Sequence, residues 1–242
     1  MHLIIDIGNT RVKAAVFEND SLLELFVFDK KSIVSEIKKI LKKFTISSSI
    51  LSSVANLSEF KLRRLSELVP ILQVSSITKV PFQNNYATPH TLGVDRIALI
   101  VGAYFKYPRQ NVLVIDAGTC ITFDFIDQKG SYLGGAISPG IKMRYKSLNK
   151  LTAKLPLLDK KKPNNFIGNS TIESIHSGIV NGVVNEIEGV INQYKKQYLD
   201  LTVVLTGGDT NFLAKQLKSS IFANQNFLLL GLNEILIFNK NK

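Results

Sequence analysis

Leu3-Ile4-Ile5-Asp6-Ile7-Gly8-Asn9-Thr10, at the start of the chain, is echoed by Leu113-Val114-Ile115-Asp116-Ala117-Gly118-Thr119. This repeat decides the reading of the fold. Each copy opens with a short aliphatic run, the pattern of a buried strand. Each then breaks into Asp-x-Gly followed by Asn-Thr or Thr, a turn composition. Each resumes as a second β-prone run, Val12 to Phe17 in the first copy and Ile121 to Ile126 in the second. Two strand–turn–strand units, one opening each half, point to duplication of a domain, with halves at 1–112 and 113–242.

Outward from these units the chain alternates strand and helix signals. Strands are expected at Leu22–Phe28, Ile46–Val54 and Ile71–Val74, and helices at Ser32–Phe44 and Glu59–Leu68. A loop from Pro81 to Pro89 leads to Gly93-Val94-Asp95-Arg96 and a buried helix through Ile97–Phe105. In the second half, Tyr132–Ile137 continues the sheet, and Pro139-Gly140 turns into a helix from Ile141 to about Leu151. The charged, Pro-bearing linker Pro156–Gly168 precedes a long helix over Ser170–Tyr198. A strand at Leu201–Leu205, a helix at Asn211–Leu217, a final strand at Phe227–Leu230 and a short C-terminal helix complete the expectation.

The chain of 242 residues is 45% hydrophobic and 20% charged, a composition able to bury a real core. No apolar run approaches the roughly 20 residues that cross a bilayer. The start at Met1-His2 lacks the basic opening and long apolar centre of a signal peptide, so a cytoplasmic protein is expected. The single cysteine, Cys120, precludes an intrachain disulfide and a Cys-rich zinc site. It reads as a small buried residue rather than a nucleophile. The formal charge of +11 fits nucleic acid, a membrane surface or polyanionic small ligands such as nucleotides. The lysines are dispersed, however, and Ile33, Ile37, Ile40, Leu41 and Phe44 fall at helical spacing with lysines on the other face, as on a solvated helix.

Four segments can carry chemistry. In the two Asp-x-Gly turns, glycine lets backbone N–H groups approach phosphate oxygens, and Asn9, Thr10 and Thr119 add side-chain donors. The aspartate at each strand end, Asp6 or Asp116, can hold a metal ion or its waters beside the phosphates. Two such turns facing each other would cage a triphosphate, whereas one alone would be an ordinary hairpin turn. The third segment, Thr206-Gly207-Gly208-Asp209, ends a strand before a helix and permits close approach of a base or ribose. In the fourth, Asp95 is either a helix cap with Arg96 facing solvent, or a carboxylate that accepts a substrate hydroxyl proton while Arg96 fixes an anionic group. Gly135 to Gly140 is no phosphate loop, because Ile141-Lys142-Met143 follows where Gly-Lys-Ser/Thr is needed. Neither a G-x-S-x-G elbow nor H-E-x-x-H occurs, and His2, His90 and His176 show no ligand spacing.

With these residues in place, the sequence resembles the type III pantothenate kinases, members of the actin-like ATPase (acetate and sugar kinase) superfamily. The resemblance runs from Asp6–Thr10 through Asn85-Tyr86 with Pro89, Leu92–Arg96, Asp116–Thr119 with Thr122 and Asp124, Gly134–Gly140 and Thr152–Pro156. It ends with Gly168–Thr171 leading to Ser177-Gly178, Thr206–Gly208 and Leu230–Leu232. It implies an α/β fold of two ribonuclease H-like halves, with mixed sheets flanked by helices around an interdomain cleft. It implies transfer of the ATP γ-phosphate to the hydroxyl of pantothenate, the first step towards coenzyme A. Carried over by position, Asp6, Ile7, Gly8, Asn9, Thr10, Arg11, Val12 and Lys13 form the first ATP-phosphate turn, and Thr119 meets ATP from the second. Asp116 binds a monovalent cation, potassium or ammonium, and magnesium accompanies ATP. Asp95 is the proton acceptor, and Tyr86, Gly93, Val94, Arg96 and Thr171 line the pantothenate pocket. The resemblance also implies a homodimer with the substrate pocket near the partner subunit. Cys120 stands where alanine is more usual in the family, and Lys160-Lys161-Lys162 is a local peculiarity. The competing expectations are an actin-like kinase for another small metabolite and a non-enzymatic, nucleic-acid-binding transcription accessory factor. The charge favours the latter, but no helix-turn-helix or interleaved base-stacking aromatics accompany it.

Overall fold

Continuous burial from Leu3 to Ile7 along the first strand means that both faces of the first sheet are covered. In the computed structural model, which describes residues 1–54 and 57–240, β1 (His2–Ile7) pairs antiparallel with β2 (Val12–Glu18), and β2 with β3 (Ser21–Phe28). On its other side β1 runs parallel to β4 (Ser48–Ser53), and β4 to β5 (Ile71–Gln73), giving the order β3-β2-β1-β4-β5. Successive strand side chains point to opposite faces. Leu3, Ile5 and Ile7 therefore share one face, where they pack with Ile33, Ile37 and Ile40 of α1 (Ile33–Lys43). Fully burying each such isoleucine contributes about 1.5–3 kcal/mol. Lys38, Lys39, Lys42 and Lys43 lie on the exposed face of α1, as the helical spacing requires. α2 (Glu59–Ser66) starts at Ser58, whose hydroxyl accepts from Lys61 N–H.

Ile4 and Asp6 point to the opposite face. There β1 and β4 meet α8 (Phe227–Lys240), and β4 also meets α3 (Val94–Lys106). The strand expected at Phe227–Leu230 is instead the first turn of α8. Its apolar residues are buried on a helix against α3, and a short aliphatic run carries no period that separates the two states. α8 and α3 cross at glycines: a Cβ on Gly231 would overlap Ala98 O, and one on Gly102 would come within 3.3 Å of Gly231 Cα.

The second unit repeats the design. β7 (Asn111–Ala117) pairs antiparallel with β8 (Cys120–Ile126) and parallel with β10 (Leu201–Thr206), which pairs parallel with β11 (Phe222–Ala223). With β9 (Ser131–Pro139) the order β11-β10-β7-β8-β9 reproduces that of the first sheet strand for strand. Leu113, Ile115 and Ala117 face a core built with Ile141 and Tyr145 of α4 (Ile141–Leu151), Ile175 of α5 (Thr171–His176) and Val183, Ile187 and Ile191 of α6 (Gly182–Gln197). The expected long helix over Ser170–Tyr198 is α5 and α6 joined by a π-helical turn, Ser177–Asn181. α7 (Thr210–Ala214) follows β10.

Compact units comprise Met1–Pro108, Gly130–Tyr132 and the residues from Asn226 on, and Arg109–Lys129 with Leu133–Gln225. The chain changes unit at Pro108–Arg109, and the C-terminal helix packs into the first unit. Ser131 and Tyr132, at the start of β9, pair with Gln83 and Asn84, a short strand β6 inside the expected Pro81–Pro89 loop. Among the described residues no helix is long and apolar enough to cross a membrane.

Candidate active site

The strand alternation that buries Ile5 and Ile7 against α1 sends Asp6 to the face occupied by α3 and α8. Asp6 is 8% exposed. Burial pushes its carboxyl up to about 7; Lys13, its cross-strand partner, pulls it down, and the charge of Asp95 pushes it up again. The turn between them, Gly8 to Arg11, is closed by Gly8 N–H donating to Arg11 O at 3.1 Å.

Asp95 sits in the first turn of α3, whose N-cap is Gly93. Its Oδ1 accepts from Arg96 N–H at 2.9 Å, and a Cβ on Gly93 would come within 2.5 Å of that oxygen. A side chain there would displace the carboxylate from this position. Arg96, expected to face solvent if Asp95 were only a cap, is buried at 5% exposure. Its guanidinium lies 5.4 Å from the centre of the Tyr86 ring, a cation–π distance. Tyr86 in turn stacks on Tyr132, with ring centres 6.0 Å apart at 26°. The first unit thus brings Gly93, Val94, Asp95 and Arg96 together at one helix start with Tyr86 against Arg96, and the charge of Asp95 acts on Asp6.

In the second unit Asp116 ends β7 as Asp6 ends β1. Gly118 N–H donates to Cys120 O at 2.9 Å, closing the second Asp-x-Gly turn. Cys120 is half-buried at the start of β8 rather than in the core. Two glycine loops crowd this turn. Gly207, at φ +96°, could carry no Cβ without overlapping Asp116 Oδ1 and Ala117 O, and a Cβ on Gly140 would meet Gly118 O and Thr119 O. Asp209 N–H bonds Ala117 O at 2.9 Å, and Thr210 Oγ1 donates to Gly207 O at 2.7 Å. Thr122 and Thr206 stand opposite Asp116 on the two neighbouring strands. Among the described residues their buried hydroxyl oxygens have no hydrogen-bond partner. Ser52, opposite Asp6 on β4, shares that condition. Ser52 took no part in the sequence reading of chemistry, and Thr206 entered it only as the start of a glycine segment; a hydroxyl residue in register with the strand-end aspartate is the signal that finds both in this role.

Thr171, the first residue of α5, lies with Arg144, Asn169, Ser170 and Ser174 on the wall of a cavity of about 950 Å³ within the second unit. Arg144 donates to Pro139 O and Ser138 Oγ and pairs with Glu186.

Among the described residues no group of three or more His, Cys, Asp or Glu could hold a metal. The donors are of another kind. Asp116 with the orphaned hydroxyls of Thr122 and Thr206 is an oxygen set suited to a hard monovalent cation. A single carboxylate such as Asp6 is what magnesium uses when substrate phosphates and water complete its shell.

The family model for the type III pantothenate kinases matches residues 2–193. A type III pantothenate kinase of Flavobacterium johnsoniae is 51% identical over 97% of this chain and 96% of its own length. That of Christiangramia forsetii is 52% identical over the whole of both chains. Among solved structures, a conserved putative Baf family transcriptional activator from Campylobacter jejuni superposes with a TM-score of 0.66 at 22% identity, covering 99% of this chain and 100% of that one. The activator of the 2-hydroxyisocaproyl-CoA dehydratase from Clostridium difficile, with bound ADPNP, gives 0.57 at 15% identity over 100% and 97%. A putative N-acetylmannosamine kinase from Listeria monocytogenes gives 0.57 at 12% over 99% of each chain. These likenesses are of fold alone. A match of this extent, with relatives half identical from end to end, makes the chain a member of the type III pantothenate kinase family.

Proposed function

We propose that this chain phosphorylates pantothenate with ATP, giving 4'-phosphopantothenate in the first step of coenzyme A synthesis, and that Asp95 and Arg96 are its substrate-handling pair. The observation that carries the reading is the start of α3, where a carboxylate and a buried, ring-stacked guanidinium stand on adjacent residues beside Tyr86.

Pantothenate offers an anionic carboxylate and a primary hydroxyl. Arg96 holds the anion, and its contact with Tyr86 and the helix geometry fix its direction. Asp95 accepts the hydroxyl proton as that oxygen bonds to the γ-phosphorus; the bond from phosphorus to the β,γ-bridging oxygen breaks, and ADP leaves. Gly93 and Val94 shape the wall beside this pair, and Thr171 is assigned to substrate as well. The residues Asp6–Lys13 supply backbone amides and the Lys13 charge to the ATP phosphates, and Thr119 contacts ATP. Gly207 and Gly208 leave room for its base or ribose. Asp6 would hold magnesium, and Asp116 with Thr122 and Thr206 a potassium or ammonium ion, both neutralising phosphate charge. The remaining chemistry is positioning. A cytoplasmic homodimer acting on small molecules, without nucleic acid or membrane, belongs to the same reading, as does descent of segments 1–112 and 113–242 from one duplicated domain.

The test is a coupled assay of the purified protein with ATP, magnesium, potassium and pantothenate. ADP release dependent on pantothenate, with the phosphorylated product identified by mass, is the expected result. Turnover of hexoses but not pantothenate would overturn the substrate, and salt-sensitive DNA binding without any turnover would overturn the enzyme.

A further inference from the structure

We propose that Lys30 is a positioning residue for the phosphate turn, acting through the carbonyl of Asn9. This rests on the reading of Asp6–Lys13 as the ATP-phosphate turn. The register places it there: Val12, the first residue of β2, pairs with Phe28, the last of β3, so the chain beyond Phe28 runs beside residues 9–11. Lys30 then opens a 3-10 turn, Lys30–Ser32, and its Nζ donates to Asn9 O at 2.9 Å. Its own carbonyl is held in turn by Lys61 Nζ of α2 at 3.1 Å. Two lysines in series thus tie a helix to the Asp-x-Gly turn.

The peptide plane gives this contact its consequence. In a trans peptide the C=O of one residue and the N–H of the next point in opposite directions. A cation that draws Asn9 O to one side therefore sets Thr10 N–H on the other. Gly8 N–H is already spent on Arg11 O, so the orientation of the Asn9–Thr10 peptide decides which amide of the turn is offered outward. The ammonium also adds positive charge beside a turn that must accept an anion. The second Asp-x-Gly turn is arranged differently, with Gly140 N–H donating to Thr119 O at 3.1 Å where the first turn has a lysine.

The experiment compares wild type, Lys30→Met, Lys30→Gln and Lys30→Arg by steady-state kinetics and by calorimetric binding of a non-hydrolysable ATP analogue. Thermal unfolding of the nucleotide-free proteins serves as a control. Lys30→Met is expected to raise KM for ATP about 3- to 10-fold and to weaken the analogue by the same factor, with kcat and the KM for pantothenate little changed. Lys30→Gln should lie between, and Lys30→Arg should recover most of the loss. An unchanged ATP KM in Lys30→Met, a defect confined to kcat, or no recovery by arginine overturns the inference. If wild type binds the analogue but does not turn over pantothenate, the functional reading fails while the binding series still decides Lys30. If wild type binds no nucleotide, both fall.

Discussion

Burial raises the carboxyl pKa of Asp6 at the end of β1, and the charge of Asp95, in the first turn of α3, pushes it further up. The two carboxylates, far apart in sequence, act on one another because strand alternation and helix packing put them on the same side of the first sheet. Like charges near each other, one of them buried, are costly to the folded protein.

Asp6→Asn is therefore expected to stabilise the nucleotide-free protein while removing activity. A carboxyl moved from 3.8 to about 7 by folding favours its protonated form in the folded state. Its penalty is absent below the unfolded value, grows as pH rises from 3.8 to about 7, and is complete above. That shift corresponds to a cost on the order of 4 kcal/mol at alkaline pH, of which the amide should recover about 1–3 kcal/mol. Denaturant unfolding of both proteins at pH 4 and pH 8, chosen about each end of that window, checks it: the variants should converge in acid and separate in base.

Asp95→Asn should keep the fold and ATP binding but lower kcat by a factor on the order of 10² or more. The asparagine retains an oxygen to accept from Arg96 N–H, so a role limited to holding the helix start would leave turnover intact. Kinetics alongside analogue binding separate the two.

Gly207→Ala should cost about 1–3 kcal/mol of stability and most of the activity. The residue lies at φ +96°, and its added Cβ would collide with Asp116 Oδ1 and Ala117 O. The same change at Gly208, whose Cβ would meet nothing within 4 Å, should cost far less stability. Thermal melts of the two variants give the comparison.

Replacing potassium by sodium is expected to depress turnover. Thr206→Val should raise the potassium concentration needed for half-maximal rate about 3- to 10-fold, because it removes one oxygen opposite Asp116. Activity titrations with chloride salts at constant ionic strength test both, and indifference to the ion would take Asp116 out of that role.

Much of this was legible in order and composition alone. The repeated aliphatic-Asp-x-Gly stretches at Asp6 and Asp116 announced two strand–turn–strand units, because strand burial and turn chemistry are local properties of a few consecutive residues. The amphipathic α1 was legible for the same reason. What stayed hidden depended on partners far along the chain. Phe227–Leu230 reads as a strand until Gly102 and Gly231 are seen to let α8 lie against α3, and a short apolar run has no period of its own to say so. The burial of Arg96 under Tyr86, the hydroxyls that flank Asp116, and the reach of Lys30 to Asn9 were set only by tertiary structure. Register between strands, and the approach of helices to a sheet, decide which distant side chains share a face, and no local pattern carries that information.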